Sequence, residues 1–196
     1  MLTTIYPAGG GCRVAETAIG TPLRRLLSAD AETQAWLVGG YHGSWLPLPD
    51  SGHLTLDNGS LRRYGAAAGA GVLVALPSHH CGLTETARVV AYLAAESGGQ
   101  CGPCLNGLPR IAAALAELAG LRPRPQTRGD LERWAGLVVG RGACSHPDGT
   151  IRFVRSALLV FEPELARHER GRCIGANRRP FLPLPEGFPT HEDDWT

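Results

Sequence analysis

The spacing of hydrophobic positions changes along the chain, and the change divides it into two kinds of structure. Up to residue 54, short β-prone runs at residues 3–6, 13–18 and 36–38 are separated by glycine-rich or polar segments. Short apolar runs bounded by glycine are typical of strands. From residue 78 onward, apolar residues recur with a period of about 3.6, which is typical of amphipathic helices. The pattern therefore predicts the α+β fold class.

The second part of the chain is expected to form a small helical bundle. Its helices are predicted to begin near Thr84, Pro109, Thr127 and Thr150, and Pro163 is expected to kink the last one or to start a fifth. Each of these segments carries apolar residues on one face. Helices of this kind, joined by short loops, pack around a common core.

Four regions follow from these patterns. A small β-rich domain is expected over residues 1–54, a connector over residues 55–77, the helical bundle over residues 78–172 and a proline-rich tail over residues 173–196. The connector contains a strand candidate at residues 71–76. The end of the tail is expected to be extended, either disordered or laid across a partner.

Two cysteine-bearing segments on loops of the predicted bundle hold the strongest candidate chemistry. Residues 96–104 read Glu-Ser-Gly-Gly-Gln-Cys-Gly-Pro-Cys, and residues 142–146 read Gly-Ala-Cys-Ser-His. The thiols of Cys101 and Cys104, separated by two residues, can bind one metal centre from the same side, and Cys144 supplies a third thiol. Two other interpretations stay open, namely a reduced C-x-x-C on an ordinary loop and a thioredoxin-like redox pair.

The remaining cysteines and histidines are weaker candidates. Cys81 precedes the first long helix, about 20 Å from the C-x-x-C at 1.5 Å per residue, and is expected to be a small buried residue. Cys12 and Cys173 lack a partner at a recognisable spacing and are expected to be free thiols. His146 lies two residues after Cys144, so a structural zinc site of three cysteines and this histidine is an alternative.

Composition and charge exclude several classes of function. The formal net charge of +1 gives no electrostatic footprint for nucleic acid. All 19 basic residues are arginine, which excludes a P-loop lysine and a lysine Schiff base. The longest nearly apolar run, at residues 65–77, is shorter than the ~20 residues of a membrane span, and the first residues predict no signal peptide. We therefore expect a reducing, cytoplasmic location, without a membrane span in this chain.

The cysteine segments, together with Phe-Val-Arg-Ser-Ala-Leu-Leu-Val-Phe-Glu-Pro-Glu at residues 153–164, resemble a known family. They are similar to the C-terminal part of the NADH-binding, flavin-carrying subunit of bacterial NADH–quinone oxidoreductase (complex I). In that family, E-S-C-G-x-C-x-P-C and a later cysteine hold a 4Fe–4S cluster. The resemblance implies that Cys101, Cys104 and Cys144 are metal ligands, while Gly98 stands where the first ligand is expected.

The first part of the chain resembles the same subunit. Residues 18–27 and 37–47 look like the soluble-ligand-binding β-grasp domain that precedes the cluster domain in this family. The flavin and NADH site of the family lies in a further N-terminal domain. We therefore expect this chain to be an incomplete NADH dehydrogenase that lacks its own flavin and NADH domain.

Three functions are compatible with these observations. The first is an iron–sulfur electron-transfer module with a 4Fe–4S cluster, or with a 3Fe–4S or labile cluster because of Gly98. Its expected partner is a flavin- or NADH-binding chain or another electron-transfer protein. The second is a structural docking subunit that has lost its cluster. The third is a structural zinc-binding module.

Overall fold

The first part of the chain forms one mixed β-sheet. The computed structural model describes residues 1–29, 31–48, 51–175 and 179–185. Within these residues the strands run in the order β2-β1-β5-β3-β4. Their bounds are β1 Leu2–Tyr6, β2 Arg13–Glu16, β3 Thr33–Val38, β4 Ser44–Pro47 and β5 Val72–Pro77.

The pairing of the strands confirms the expected β-grasp sheet. Strands β1 and β5 are parallel, whereas β1–β2, β3–β4 and β3–β5 are antiparallel. The central strand β5 comes from the segment predicted to be a connector, residues 55–77. It is almost wholly apolar, as expected for a strand covered on both faces. This pairing favours a sheet unit that ends at Pro77, beyond the boundary predicted at residue 54.

The central strands β3 and β5 are buried on both faces, and alternate residues of these strands belong to two different cores. Leu73 and Ala75 face a core closed by the short helix α1 (Leu23–Leu26) and by residues 54–66. Val74 and Leu76 face the helices of the second part of the chain. Because side chains alternate along a strand, the sheet is a layer between two sets of packed residues.

The helices of the second part match the predicted pattern, except that the one predicted near Thr150 starts well before it, at His146, and a helical turn precedes the one predicted near Pro109. A short helix α2 (Asn58–Leu61) lies before β5. The helices that follow β5 are α3 Gly82–Ala95, α4 Leu108–Ala119, α5 Thr127–Val138, α6 His146–Val160 and α7 Glu162–Glu169. A π-helical turn, Pro103–Gly107, leads into α4. None of the described helices is long and apolar enough to cross a bilayer.

The early starts have a local cause. Pro147 lies in the first turn of α6, where its missing N–H is not needed, and Pro103 has the same place in the turn before α4. The sequence pattern assigned both prolines to loops. As a result, Cys104 lies within the first helical turn and Cys144 lies two residues before α6.

The sheet and the bundle share one core. Trp45 on β4 donates a hydrogen bond of 3.0 Å from Nε1 to Thr86 Oγ1 on α3. Its ring also lies edge-on to Phe161, with the ring centroids 5.0 Å apart. Apolar residues from the sheet and from all five of these helices belong to the same buried cluster.

The described part of the tail packs on the chain itself. The carboxylate of Glu85 on α3 is buried and accepts backbone N–H hydrogen bonds from Phe181 (3.0 Å) and Leu182 (2.9 Å). Leu182 is fully buried in the shared core. The prediction of an extended or partner-bound end of the tail otherwise concerns residues 178 and 186–196, which lie outside the described residues.

Candidate metal centre

The three predicted ligands lie on two loops that connect helices of the bundle. Cys101 and Cys104 lie between α3 and α4, and Cys144 lies between α5 and α6. The two loops lie close together, since the backbone N–H of Ala143 is near enough to the Cys101 sulfur to lower the pKa of that thiol. The structure therefore brings together the segments that the sequence singled out.

The thiols of Cys101 and Cys104 have different surroundings, which shift their pKa values in opposite directions. The N–H groups of Ala143 and Cys104 donate to the Cys101 sulfur and lower the pKa of that thiol. Burial raises the pKa of Cys104, and the nearby sulfur of Cys101 and the charge of a Cys144 thiolate raise it further. The Ser97 hydroxyl has the opposite effect, because it donates a hydrogen bond to the Cys104 sulfur. Several thiolates in this space repel one another unless a cation lies between them.

The amino ends of two long helices are directed at these loops. The helical run that leads into α4 begins just after Cys101, and α6 begins at His146, just after Cys144. The amino end of a helix carries partial positive charge and unpaired N–H groups, which favour thiolates and anionic groups. Both cysteine segments therefore lie where negative charge is stabilised.

Gly98 has no structural reason to be glycine. A Cβ atom added there would meet nothing within 4 Å, and its φ is not in the left-handed region. The left-handed residue of the loop is the neighbouring Gly99, with φ +60°. The loop can therefore accommodate a cysteine at position 98.

The donor set fits an iron–sulfur cluster held by three thiolates. Soft sulfur ligands, N–H groups directed at sulfur and two helix amino ends are the features that such a cluster needs. A fourth thiolate is missing among the described residues near the site, because Cys81 lies at the opposite end of α3. The assignment of the cluster ligands to Cys101, Cys104 and Cys144 stays a prediction.

The zinc alternative with His146 receives no support from the geometry. Nε2 of His146 lies 2.9 Å from the carbonyl oxygen of Leu93, and its imidazole packs edge-on against His42. A mononuclear tetrahedral site needs ligand atoms about 3–4 Å apart. Among the described residues, the group of ligand atoms that approaches this spacing is a different one, formed by Cys81, His168 and Cys173.

Comparison with known proteins confirms the resemblance to the complex I family. Residues 84–168 match the family model of the NADH-ubiquinone oxidoreductase-F iron-sulfur binding region, and this match supports a 4Fe–4S cluster. The chain is 29% identical over 162 residues to the F subunit of NADH-quinone oxidoreductase in Salmonella typhimurium, covering 76% of this chain and 35% of that protein. It is 26% identical over 166 residues to the corresponding F 2 subunit in Rhizobium meliloti, covering 81% and 39%. The chain thus spans less than two fifths of the length of these relatives.

A solved structure shares the fold. The NAD⁺-reducing NiFe-hydrogenase in its air-oxidized state contains a chain that superposes with a TM-score of 0.66 at 18% identity, over 94% of this chain and 31% of that one. At this identity the likeness concerns the fold alone. It includes the sheet as well as the bundle, since the matched part is almost the whole chain.

Proposed function

We propose that this chain is an iron–sulfur electron-transfer module of an assembly similar to NADH dehydrogenase. Cys101, Cys104 and Cys144 would hold the cluster, and its fourth ligand would not be a thiolate. The observation that carries this proposal is the proximity of the two cysteine loops, where the N–H of Ala143 lowers the pKa of Cys101 and the Cys144 thiolate raises that of Cys104. The match of residues 84–168 to an iron–sulfur binding region supports it.

The chain's own residues would hold and tune the group. When bound, a cluster of this kind takes up and releases single electrons with little movement of atoms. The N–H groups of Ala143 and Cys104 and the Ser97 hydroxyl would offset negative charge on the sulfurs. The amino ends of α4 and α6 add to this effect, so the reduced, more negative state becomes easier to form.

The position of Gly98 makes the proposed cluster more exposed than a four-cysteine one. Gly98 is itself exposed and has open space around its Cα atom. One iron would then bind solvent or a neighbouring oxygen atom in place of a thiolate. Such a cluster is expected to exchange that ligand readily and to lose iron in air.

A protein partner is part of the proposal. The relatives are subunits of NADH-quinone oxidoreductases, and we infer a flavin- or NADH-binding chain as the source of electrons. Leu105, in the helical turn of Cys104, is 61% exposed and offers an apolar contact beside the cluster. Because all six cysteines are free thiols, we place the assembly in the reducing cytoplasm.

The alternative is a docking subunit without a cluster. Gly98 favours it, because the residue that would complete a four-cysteine set is missing. The two functions differ in redox activity. A docking subunit presents the same folded surface but has no group that can take up an electron.

A redox titration of the anaerobically reconstituted chain tests the proposal. We expect a one-electron couple with a paramagnetic reduced or oxidised state visible by electron paramagnetic resonance. The couple should disappear in Cys104→Ser and persist in Cys12→Ser, because Cys12 is an exposed thiol on the sheet side of the molecule. A redox-silent protein would favour the docking subunit.

A further inference from the structure

The end of α3 opposite the cysteine loops carries a second group of metal-binding side chains. Cys81 precedes the first residue of α3, His168 lies in the last turn of α7, and Cys173 follows that helix. The ligand atoms of these three residues all lie within 4.8 Å of one another. With 14 residues, α3 separates this triad from Cys101 by about 20 Å. The triad is therefore independent of the cluster ligands.

The imidazole of His168 is already oriented as a ligand. Its Nδ1 lies 3.1 Å from the carbonyl oxygen of Leu118, which can only accept a hydrogen bond. In the neutral imidazole, Nδ1 therefore carries the proton and Nε2 keeps a free lone pair. Nε2 is directed at the triad, 3.4 Å from the sulfur of Cys81. A histidine fixed through its other nitrogen by a carbonyl is the usual arrangement around a metal ion in proteins.

Two hydrogen-bond acceptors lie beside the single proton of the buried Cys81 thiol. The Cys81 thiol has one proton, and two acceptors lie near its sulfur: Oε2 of Glu164 at 3.1 Å and Nε2 of His168 at 3.4 Å. Glu164 is only 2% exposed and accepts hydrogen bonds from the side-chain amide of Gln34 and, at 3.4 Å, from the backbone N–H of Leu83. None of the ion pairs among the described residues includes it. A buried carboxylate without a cationic partner is costly. A divalent cation among these atoms would supply the missing positive charge.

The backbone holds Cys173 in place for this role. Gly171 takes a left-handed conformation, with φ +73°, and donates its N–H to the carbonyl of His168 at 2.8 Å. The chain then turns back toward the start of α3, where Gly175 packs so tightly on Cys81 that a Cβ atom would overlap the backbone of Cys81.

We propose that Cys81, His168 and Cys173 bind a zinc ion, with the carboxylate of Glu164 beside the site. Sulfur and nitrogen donors in a tetrahedral arrangement select zinc among the common divalent ions. Binding displaces the thiol protons of both cysteines, so two protons leave for each Zn²⁺ that enters. The carboxylate of Glu164 then loses its S–H donor and is attracted to the same cation. The ion joins the start of α3 to the segment after α7.

This site extends beyond the matched iron–sulfur region at both ends. The family match covers residues 84–168, so it includes His168 and Glu164 but neither Cys81 nor Cys173. The proposed zinc site depends on the triad and its surroundings, and it does not require the iron–sulfur cluster to be present.

Titration with Co²⁺ alone tests the site, because thiolate-bound tetrahedral Co²⁺ has visible and near-ultraviolet absorption bands. The full chain is used with Cys101, Cys104 and Cys144 replaced by serine, so that these thiols cannot contribute. We expect one equivalent of Co²⁺ to bind with thiolate bands and to be displaced by Zn²⁺. Cys173→Ser in this background should weaken binding by more than about a hundredfold, since even a neighbour of a ligand contributes ten- to a hundredfold. Cys12→Ser should leave it unchanged.

Circular dichroism checks that each variant is folded. The midpoint temperature of thermal unfolding gives a second measure of metal binding. Zn²⁺ should raise this midpoint for the parent and for Cys12→Ser but not for Cys173→Ser. The variant Cys173→Ser is expected to fold, because it changes one atom of a half-buried side chain. The proposal is overturned if the parent binds no Co²⁺ under reducing conditions, or if folded Cys173→Ser binds it as tightly. A Cys81–Cys173 disulfide in anaerobically purified native chain would also overturn it.

Discussion

At the scale of single residues, Gly98 stands where a fourth thiolate of the proposed cluster would be. The position is exposed, its φ suits any residue, and a side chain there would meet open space. We therefore predict that Gly98→Cys folds normally, raises the iron content toward about four per chain and slows the loss of visible absorbance in air. Iron analysis and the absorbance decay after anaerobic reconstitution measure both effects.

A matched control separates ligation from the mere addition of a thiol. Gly129 on α5 is also exposed and has open space around it. Gly129→Cys should therefore leave the iron content and the decay rate as in the unmodified chain. Equal behaviour of Gly98→Cys and the unmodified chain, with a full air-stable cluster in both, would show that another residue already supplies the fourth ligand.

A second residue, Glu117, links stability to pH. Arg124 donates two side-chain hydrogen bonds to its carboxylate, at 2.7 and 2.8 Å, and Thr127 donates another at 2.7 Å. The bonds from Arg124, followed by that from Thr127, lower the pKa of Glu117 from 4.5 to about 2. A carboxyl with a depressed pKa in the folded state stabilises that state above its unfolded pKa, and the contribution is lost as the pH falls toward about 2.

We predict that Glu117→Gln lowers the free energy of unfolding at pH 7, and that the deficit disappears as the pH falls from 4.5 to about 2. Urea unfolding at several pH values measures the difference. Glu132→Gln is the control, because Glu132 makes a single exposed ion pair of 3.4 Å with Arg128 and should have a smaller effect. A Glu117→Gln deficit that stays constant with pH would contradict the account.

At the scale of elements, close packing fixes where α3 meets the rest of the bundle. A Cβ atom added to Gly82, the first residue of α3, would overlap the ring of Phe161, which is itself fully buried. We predict that Gly82→Ala destabilises the fold by about 1–3 kcal/mol through overpacking. Gly136 lies inside α5 with open space around it, and Gly136→Ala should stabilise by about 0.5–1 kcal/mol. Chemical denaturation of both variants should show opposite signs, and equal signs would refute this packing argument.

The sequence pattern predicted the helices better than it predicted the sheet or the second metal group. Apolar spacing and proline positions located α3 to α7. Pro103 and Pro147 were nevertheless assigned to loops, because a proline can either end a loop or open a helix. The cysteine loops were recognisable because C-x-x-C is a local signal.

What the sequence could not provide depends on contacts between distant residues. Strand β5 joins the sheet through pairing with β1 and β3, and no local pattern reveals that partner choice. Cys81 was expected to be a small buried residue and Cys173 a free thiol. Their approach to His168 requires α3, α7 and the turn at Gly171 to be folded together, and 91 residues separate the two cysteines in the chain.

At the scale of the whole molecule, the sheet and the bundle are expected to unfold together. Trp45 is fully buried between them, where it contacts Phe161 and Thr86. We predict that Trp45→Ala destabilises the chain by about 3–5 kcal/mol and shifts the loss of helical circular dichroism to lower denaturant. A helical signal that keeps its original midpoint would show that the bundle folds independently of the sheet.

Electron transfer by this chain would depend above all on Cys101, Cys104 and Cys144 binding one iron–sulfur cluster. Iron and acid-labile sulfide per chain, measured after anaerobic reconstitution and desalting, test this directly. We predict about three to four of each in the unmodified chain, essentially none in Cys101→Ser, and unchanged values in Cys12→Ser. Absence of iron and sulfide from the folded unmodified chain, or equal amounts in Cys101→Ser, would contradict the account.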